Sequence, residues 1–171
     1  IAILKPIEPI TLSKWGLGDA GVWLEKGSKY ENQKDYYNAI TCYHRSINEK
    51  PTYSAYVRLA YCYEELEQYN EVIKALENAL QFNPNSSDVY CDLGTAYSLL
   101  NQYALAISAY ETATKLNPEN KIGFWKLGLT YDYLYYISSN RSYQLKAYEA
   151  YKEVVRIDPN DSIGHYSLGL F

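Results

Sequence analysis

The chain has 171 residues, 47% of them hydrophobic and 21% charged, the balance of a folded globular protein rather than a disordered one. Its 16 Lys and Arg against 20 Asp and Glu leave a net charge of −4. An acidic chain with no basic block argues against nucleic acid as a partner, because phosphate neutralisation supplies most of that affinity. No apolar run approaches the ~20 residues needed to span a bilayer.

Residues 1–18 read as an extended apolar arm. Ile1, Ile3, Leu4, Ile7 and Ile10 are interrupted by Pro6 and Pro9, which remove amide donors and hold their predecessors extended. From Asp19 onward the apolar positions recur at i, i+3 or i+4 and i+7, the period of a helix buried on one face. The predicted helices pair as 20–33 with 36–49, 53–66 with 69–82, 87–100 with 103–116, and 121–135 with 142–156, followed by a lone helix from 162. Asp19, Thr52, Ser86 or Ser87, Asn120 and Asp161 stand as N-caps before these periods. Pro51, Pro84, Pro118 and Pro159 follow helices that they cannot continue.

Those four prolines are spaced by 33, 34 and 41 residues, and the segments before them align. Trp23-x2-Lys26-Gly27-x2-Tyr30 is followed by Ala39-x3-Tyr43. Tyr56-x2-Leu59-Ala60-x2-Tyr63 is followed by Val72-x3-Leu76. Tyr90-x2-Leu93-Gly94-x2-Tyr97 is followed by Ala106-x3-Tyr110. Phe124-x2-Leu127-Gly128-x2-Tyr131 is followed by Ala147-x3-Tyr151, and His165-x2-Leu168-Gly169 opens a fifth unit. The small residue in each unit admits a neighbouring helix closely. Ten of the 21 tyrosines fall into repeated slots: Tyr30, Tyr63, Tyr97 and Tyr131; Tyr36, Tyr69 and Tyr103; Tyr43, Tyr110 and Tyr151. Such slots predict aromatic packing between helices, with the hydroxyl at the edge.

Recurrence of this pattern in four units resembles the tetratricopeptide repeat (TPR) family. The departures are Lys26 in unit one, Val72 in unit two and seven extra residues in unit four. The resemblance implies an all-α fold: a right-handed superhelical solenoid of antiparallel helix pairs, with four repeats plus the first helix of a fifth. The units are about 20–52, 53–86, 87–120 and 121–161, with a partial unit 162–171. The extra residues of unit four, around Tyr135 to Tyr143, are expected to form a loop between its helices.

In TPR proteins the first helix of each pair lines a concave groove. By that resemblance the groove carries Leu24, Val57, Tyr61, Leu99, Trp125, Leu129 and Tyr133 among its apolar positions. Glu31, Glu64, Glu65, Asp88, Asp92 and Asp132 add negative charge. Contiguous exposed apolar surface marks an interaction site, and Trp and Tyr dominate binding hot spots. The expected partner is a protein or peptide with apolar anchors and some Lys or Arg. A carboxylate clamp of the kind that holds chaperone tails is not expected. Its matching positions carry Leu24, Ser28, Arg58, Asp88 and Asp92, and only Arg58 is cationic.

Catalysis finds little support. Cys42, Cys62 and Cys91 form no C-x-x-C pair, and His44 and His165 are isolated, so buried free thiols are expected rather than a metal site. No phosphate loop, nucleophile elbow or other cofactor motif is present. The function expected is a non-catalytic protein-interaction scaffold. The alternative is a structural subunit that assembles head to tail through Ile3, Leu4, Ile7 and Ile10 of the arm and through Ile163, Tyr166 and Leu170 of the last helix. The sequence leaves the compartment open.

Overall fold

The computed structural model describes residues 19–169. The arm expected over 1–18 lies outside the described residues, as does Leu170. The described residues contain α1 (Asp19–Asn32), α2 (Tyr36–Glu49), α3 (Tyr53–Glu65), α4 (Tyr69–Leu80), α5 (Ser87–Leu99), α6 (Tyr103–Leu116), α7 (Lys121–Ser138), α8 (Arg141–Ile157) and α9 (Ser162–Leu168). Each odd helix packs on the even helix that follows it, and each even helix packs on the next odd one. First helices of successive units also touch, α1 with α3 and α5 with α7. Among the described residues the well-packed helix pairs lie within one unit or between adjacent units, the pattern of a solenoid.

Caps fix the helix starts. Thr52, Ser86, Asn120 and Asp161 each accept a backbone N–H three residues ahead, which satisfies one of the amides a helix start leaves open. Ser86 rather than Ser87 is the cap of α5. Ser87 instead donates to the Ala113 carbonyl and accepts from Asn120 Nδ2 at 2.7 Å, tying α5 to the end of α6 and to the cap of α7. Asp35 and Asn140, which the apolar period did not single out, cap α2 and α8. Asp19, expected as a cap, is the first described residue of α1.

The turn inside each unit has one recurring feature. Lys34, Glu67, Asn101 and Ser139 all adopt left-handed backbone, with φ between 54° and 60°. None is glycine, so each carries a steric cost that the tight turn imposes.

The expected loop in unit four is not there. α7 runs three residues beyond its predicted end, to Ser138, and α8 begins at Arg141, so a two-residue turn joins them. The segment through Ile137 contains no helix breaker, and extension adds a hydrogen bond per residue once the helix exists. The left-handed Ser139 closes α7 by donating its N–H to the Tyr135 carbonyl.

The core runs between the paired helices. Ala39, Tyr43, Ala60, Leu76 and Leu93 anchor the first half, and Tyr110, Leu127, Tyr131, Ala147 and Tyr151 the second. Tyr43 and Tyr151 have no exposed surface. Their hydroxyls are hydrogen-bonded, Tyr43 to Glu31 and Tyr151 to Asp132 at 2.8 Å, which is how a buried phenol avoids a desolvation cost. The expected slot of hydroxyls at helix edges is also present. Tyr63 pairs with His44, Tyr97 with Glu77 and Tyr131 with Glu111.

Candidate functional site

The first helices present two concavities on one face. One, of about 310 Å³, lies between α5 and α7 and is lined by Leu99, Trp125, Leu129, Tyr133 and Tyr103, with Lys126 and Thr95 at its polar side. The Tyr103 and Tyr133 rings lie 5.0 Å apart. Lys126 Nζ donates to Thr95 Oγ1 at 2.7 Å, and Tyr110 donates to the same oxygen at 3.3 Å. The second, of about 440 Å³, is centred on α3. Glu31, Val57, Arg58, Tyr61, Glu64 and Asp92 form its wall, and Ala60, Val72 and Leu76 its floor.

The apolar groove residues divide by exposure. Tyr61, Leu99, Leu129 and Tyr133 keep between 43% and 50% of their surface exposed. Trp125 is half-buried, and its Nε1 is covered without an acceptor among the described residues. Leu24 and Val57 are half-buried and pack against the core of the first units. Leu24 therefore contributes mainly to the α1 interface and lines neither concavity.

The acidic residues divide as well. Glu64 and Asp88 are exposed. Glu65 is exposed and accepts the Tyr36 hydroxyl at 2.7 Å. Asp132 is no free groove charge: it is half-buried and accepts the Tyr151 hydroxyl. Glu31 receives Tyr43 and also Arg58, whose Nη1 lies 3.1 and 3.4 Å from its two oxygens. Arg58, the one cation at the clamp positions, is thus already occupied.

Among the described carboxylates, Asp92 is the most strongly shifted. Burial in the concave wall pushes its carboxyl up to about 6, the charges of Glu64 and Asp88 add to this, and Lys126 counters it. Water still reaches the side chain: a concave wall displaces solvent around a group without covering it.

The thiols are chemically quiet. Cys42, Cys62 and Cys91 are free and buried. Burial pushes Cys62 up to about 12 and Cys91 up to about 11, away from the thiolate that reactive cysteines need. Among the described residues no group of three or more His, Cys, Asp or Glu could hold a metal ion, and no helix is long and apolar enough to cross a membrane.

At the other end, Ile163 and Tyr166 of α9 are 55% and 71% exposed. Ile3, Leu4, Ile7, Ile10 and Leu170, the rest of the expected assembly surface, lie outside the described residues.

Residues 20–53 match one tetratricopeptide repeat model, and residues 53–86 and 87–120 match another. With more than half of the sequence matched, the chain belongs to the tetratricopeptide repeat family. No curated protein matches it in sequence. Among solved structures it resembles MamA, with 25% identity, a TM-score of 0.80, and 89% of this chain and 80% of that one covered. It also resembles the first TPR of Spaghetti (RPAP3) bound to the HSP90 peptide SRMEEVD, with 26% identity, a TM-score of 0.64, and coverage of 68% and 93%. The second TPR domain of human RPAP3 in complex with the HSP70 peptide SGPTIEEVD is similar too, with 25% identity, a TM-score of 0.62, and coverage of 66% and 94%.

Proposed function

We propose that this chain is a non-catalytic scaffold that holds a segment of a partner protein in its concave groove. The observation that carries this reading is the exposed run of Tyr61, Leu99, Leu129 and Tyr133 on the first-helix face. Apolar surface of this kind gains free energy when covered, and here it is shaped into two concavities. The two RPAP3 domains that this chain resembles hold peptides. Those peptides end in EEVD and are acidic at that end. The groove here carries Glu64, Asp88 and Asp92, and its Arg58 is paired with Glu31, so like charges disfavour such tails. The complementary ligand carries apolar anchors and basic residues.

Tyr61→Ala combined with Trp125→Ala tests this by pull-down of partner proteins. Loss of capture with helicity intact supports the groove reading, and unchanged capture removes it.

A second reading is self-association, favoured by the exposed Ile163 and Tyr166 of α9. Light scattering on residues 1–171 and on a chain lacking 1–18 tests it. A mass above that of a monomer that falls to a monomer on truncation supports assembly through the arm. Two monomers refute it.

A further inference from the structure

Unit two lacks a side chain that the other three units have. In units one, three and four a tyrosine ring lies against a glycine: Tyr43 on Gly27, Tyr110 on Gly94 and Tyr151 on Gly128. A Cβ on any of these glycines would lie 2.5 Å from the ring. The corresponding pair in unit two is Ala60 and Leu76. Glu31 and Asp132 each stand four residues after their glycine, and each accepts the tyrosine hydroxyl of its own unit. Glu64 stands four residues after Ala60 in the same register. Leu76 has no hydroxyl to offer, and among the described residues no donor is bonded to the Glu64 carboxylate, whose backbone carbonyl alone accepts, from the N–H of Glu67.

The larger concavity opens at this point, with Ala60 and Leu76 in its floor and Glu64 on its wall. Its lining carries three carboxylates, Glu31, Glu64 and Asp92, against one cation, Arg58. Glu31 already neutralises Arg58. Glu64 and Asp92 are left facing the space with net negative charge. Asp92 is raised toward its neutral form by burial and by Glu64, with Lys126 offsetting this only in part, the electrostatic state that an incoming cation relieves.

We propose that this space is a specificity pocket for a lysine or arginine side chain of the partner segment, which takes the place of the tyrosine that unit two lacks. Its methylene stem lies along Tyr61 and the Ala60–Leu76 floor, as long basic side chains do on apolar surface. Its cationic head donates to Glu64 and faces Asp92, a charge-assisted pairing. The pocket rests on the groove reading above and adds to it the chemistry of one anchor.

The test starts from a displayed random-peptide library selected on the full chain. Affinities of the enriched peptides are then measured by fluorescence anisotropy. Ala60→Gly with Leu76→Tyr gives unit two the pair found in the other units and fills the pocket from within. Unchanged circular dichroism confirms that this variant folds. Enriched peptides are expected to share a basic residue and to bind the double variant about tenfold or more weakly. Glu64→Gln, and replacement of the peptide's basic residue by norleucine, are expected to weaken binding several-fold on the unaltered backbone. These two readings decide the matter if the double variant does not fold.

Peptides with no basic preference, or with affinity indifferent to these changes yet lost on Trp125→Ala with Leu129→Ala, overturn the pocket and leave the groove reading standing. A library that yields no binder, or only binders indifferent to every groove variant, overturns both.

Discussion

The ring of Tyr151 lies against the bare Cα of Gly128, so close that a Cβ there would sit 2.5 Å from Cε1. Gly27 with Tyr43 and Gly94 with Tyr110 repeat the contact. The absence of one methyl group sets how closely α7 approaches α8, and the Tyr151 hydroxyl then reaches Asp132. Gly128→Ala is therefore expected to cost about 1–3 kcal/mol by overpacking, read as a lower midpoint in urea. Tyr151→Leu in the same chain recreates the alanine–leucine pair of unit two. It is expected to recover part of the loss, so the two changes are non-additive.

Lys34, Glu67 and Asn101 hold left-handed backbone in equivalent turns. Lys34→Gly or Glu67→Gly removes the Cβ penalty of about 1–2 kcal/mol and adds part of it back as unfolded-state entropy. A net gain of about 0.5 kcal/mol is expected for each. Denaturant melts with an unchanged m-value check this.

Ser86 is one of few buried polar side chains among the described residues, at 9% exposure. It caps α5 at Val89 N and pairs with the Tyr53 hydroxyl at 2.9 Å, linking unit two to unit three. Ser86→Ala is expected to destabilise by about 1–2 kcal/mol, the usual loss of a cap plus an unpaired hydroxyl. Ser87→Ala is expected to cost less, since Ser87 is no cap.

Asp92 carries a pH-dependent cost. Its folded value of about 6 lies above the ~3.9 of an unfolded aspartate. Between these values the folded chain binds the extra proton, so its stability falls as pH rises through the window and the loss is complete above it. Asp92→Asn is expected to stabilise the chain at pH 7 and to have no effect near pH 3. The gain is at most about 1 kcal/mol, because solvent reaches and screens the carboxylate. Thermal melts of both chains across that range give the comparison. A constant difference at every pH contradicts the assignment.

The helix pairs were legible in the sequence because period, caps and prolines all agreed. Pro51, Pro84, Pro118 and Pro159 marked the unit ends, and Thr52, Asn120 and Asp161 cap where the apolar period said they would. The extra length of unit four predicts a loop from about Tyr135, whereas Tyr136 to Ser138 simply continue α7. Register puts Tyr61, Leu99, Leu129 and Tyr133 on the outward face of the first helices, and all four are exposed. Register puts Asp132 on that face too, yet it accepts the hydroxyl of the buried Tyr151. Periodicity gives the face of a helix but not the reach of a side chain on the next one. The unit-two pocket had a visible signal, Leu76 in a slot otherwise held by tyrosine. Its meaning depended on which residue that slot faces.

What the amino-acid sequence determined by itself is the local and repetitive part of this protein. Helix starts and stops, the small-to-large pattern and the 33- to 34-residue spacing of the first three units act through neighbours along the chain and so appear in its order. Tertiary structure decided which side chains meet across units and how much water reaches them. That the glycine of one helix fits the tyrosine of the next, that Arg58 is held by Glu31, and that Asp92 sits in a wall of protein are all distances between helices. Such distances follow from how the pairs stack, and no single segment contains them.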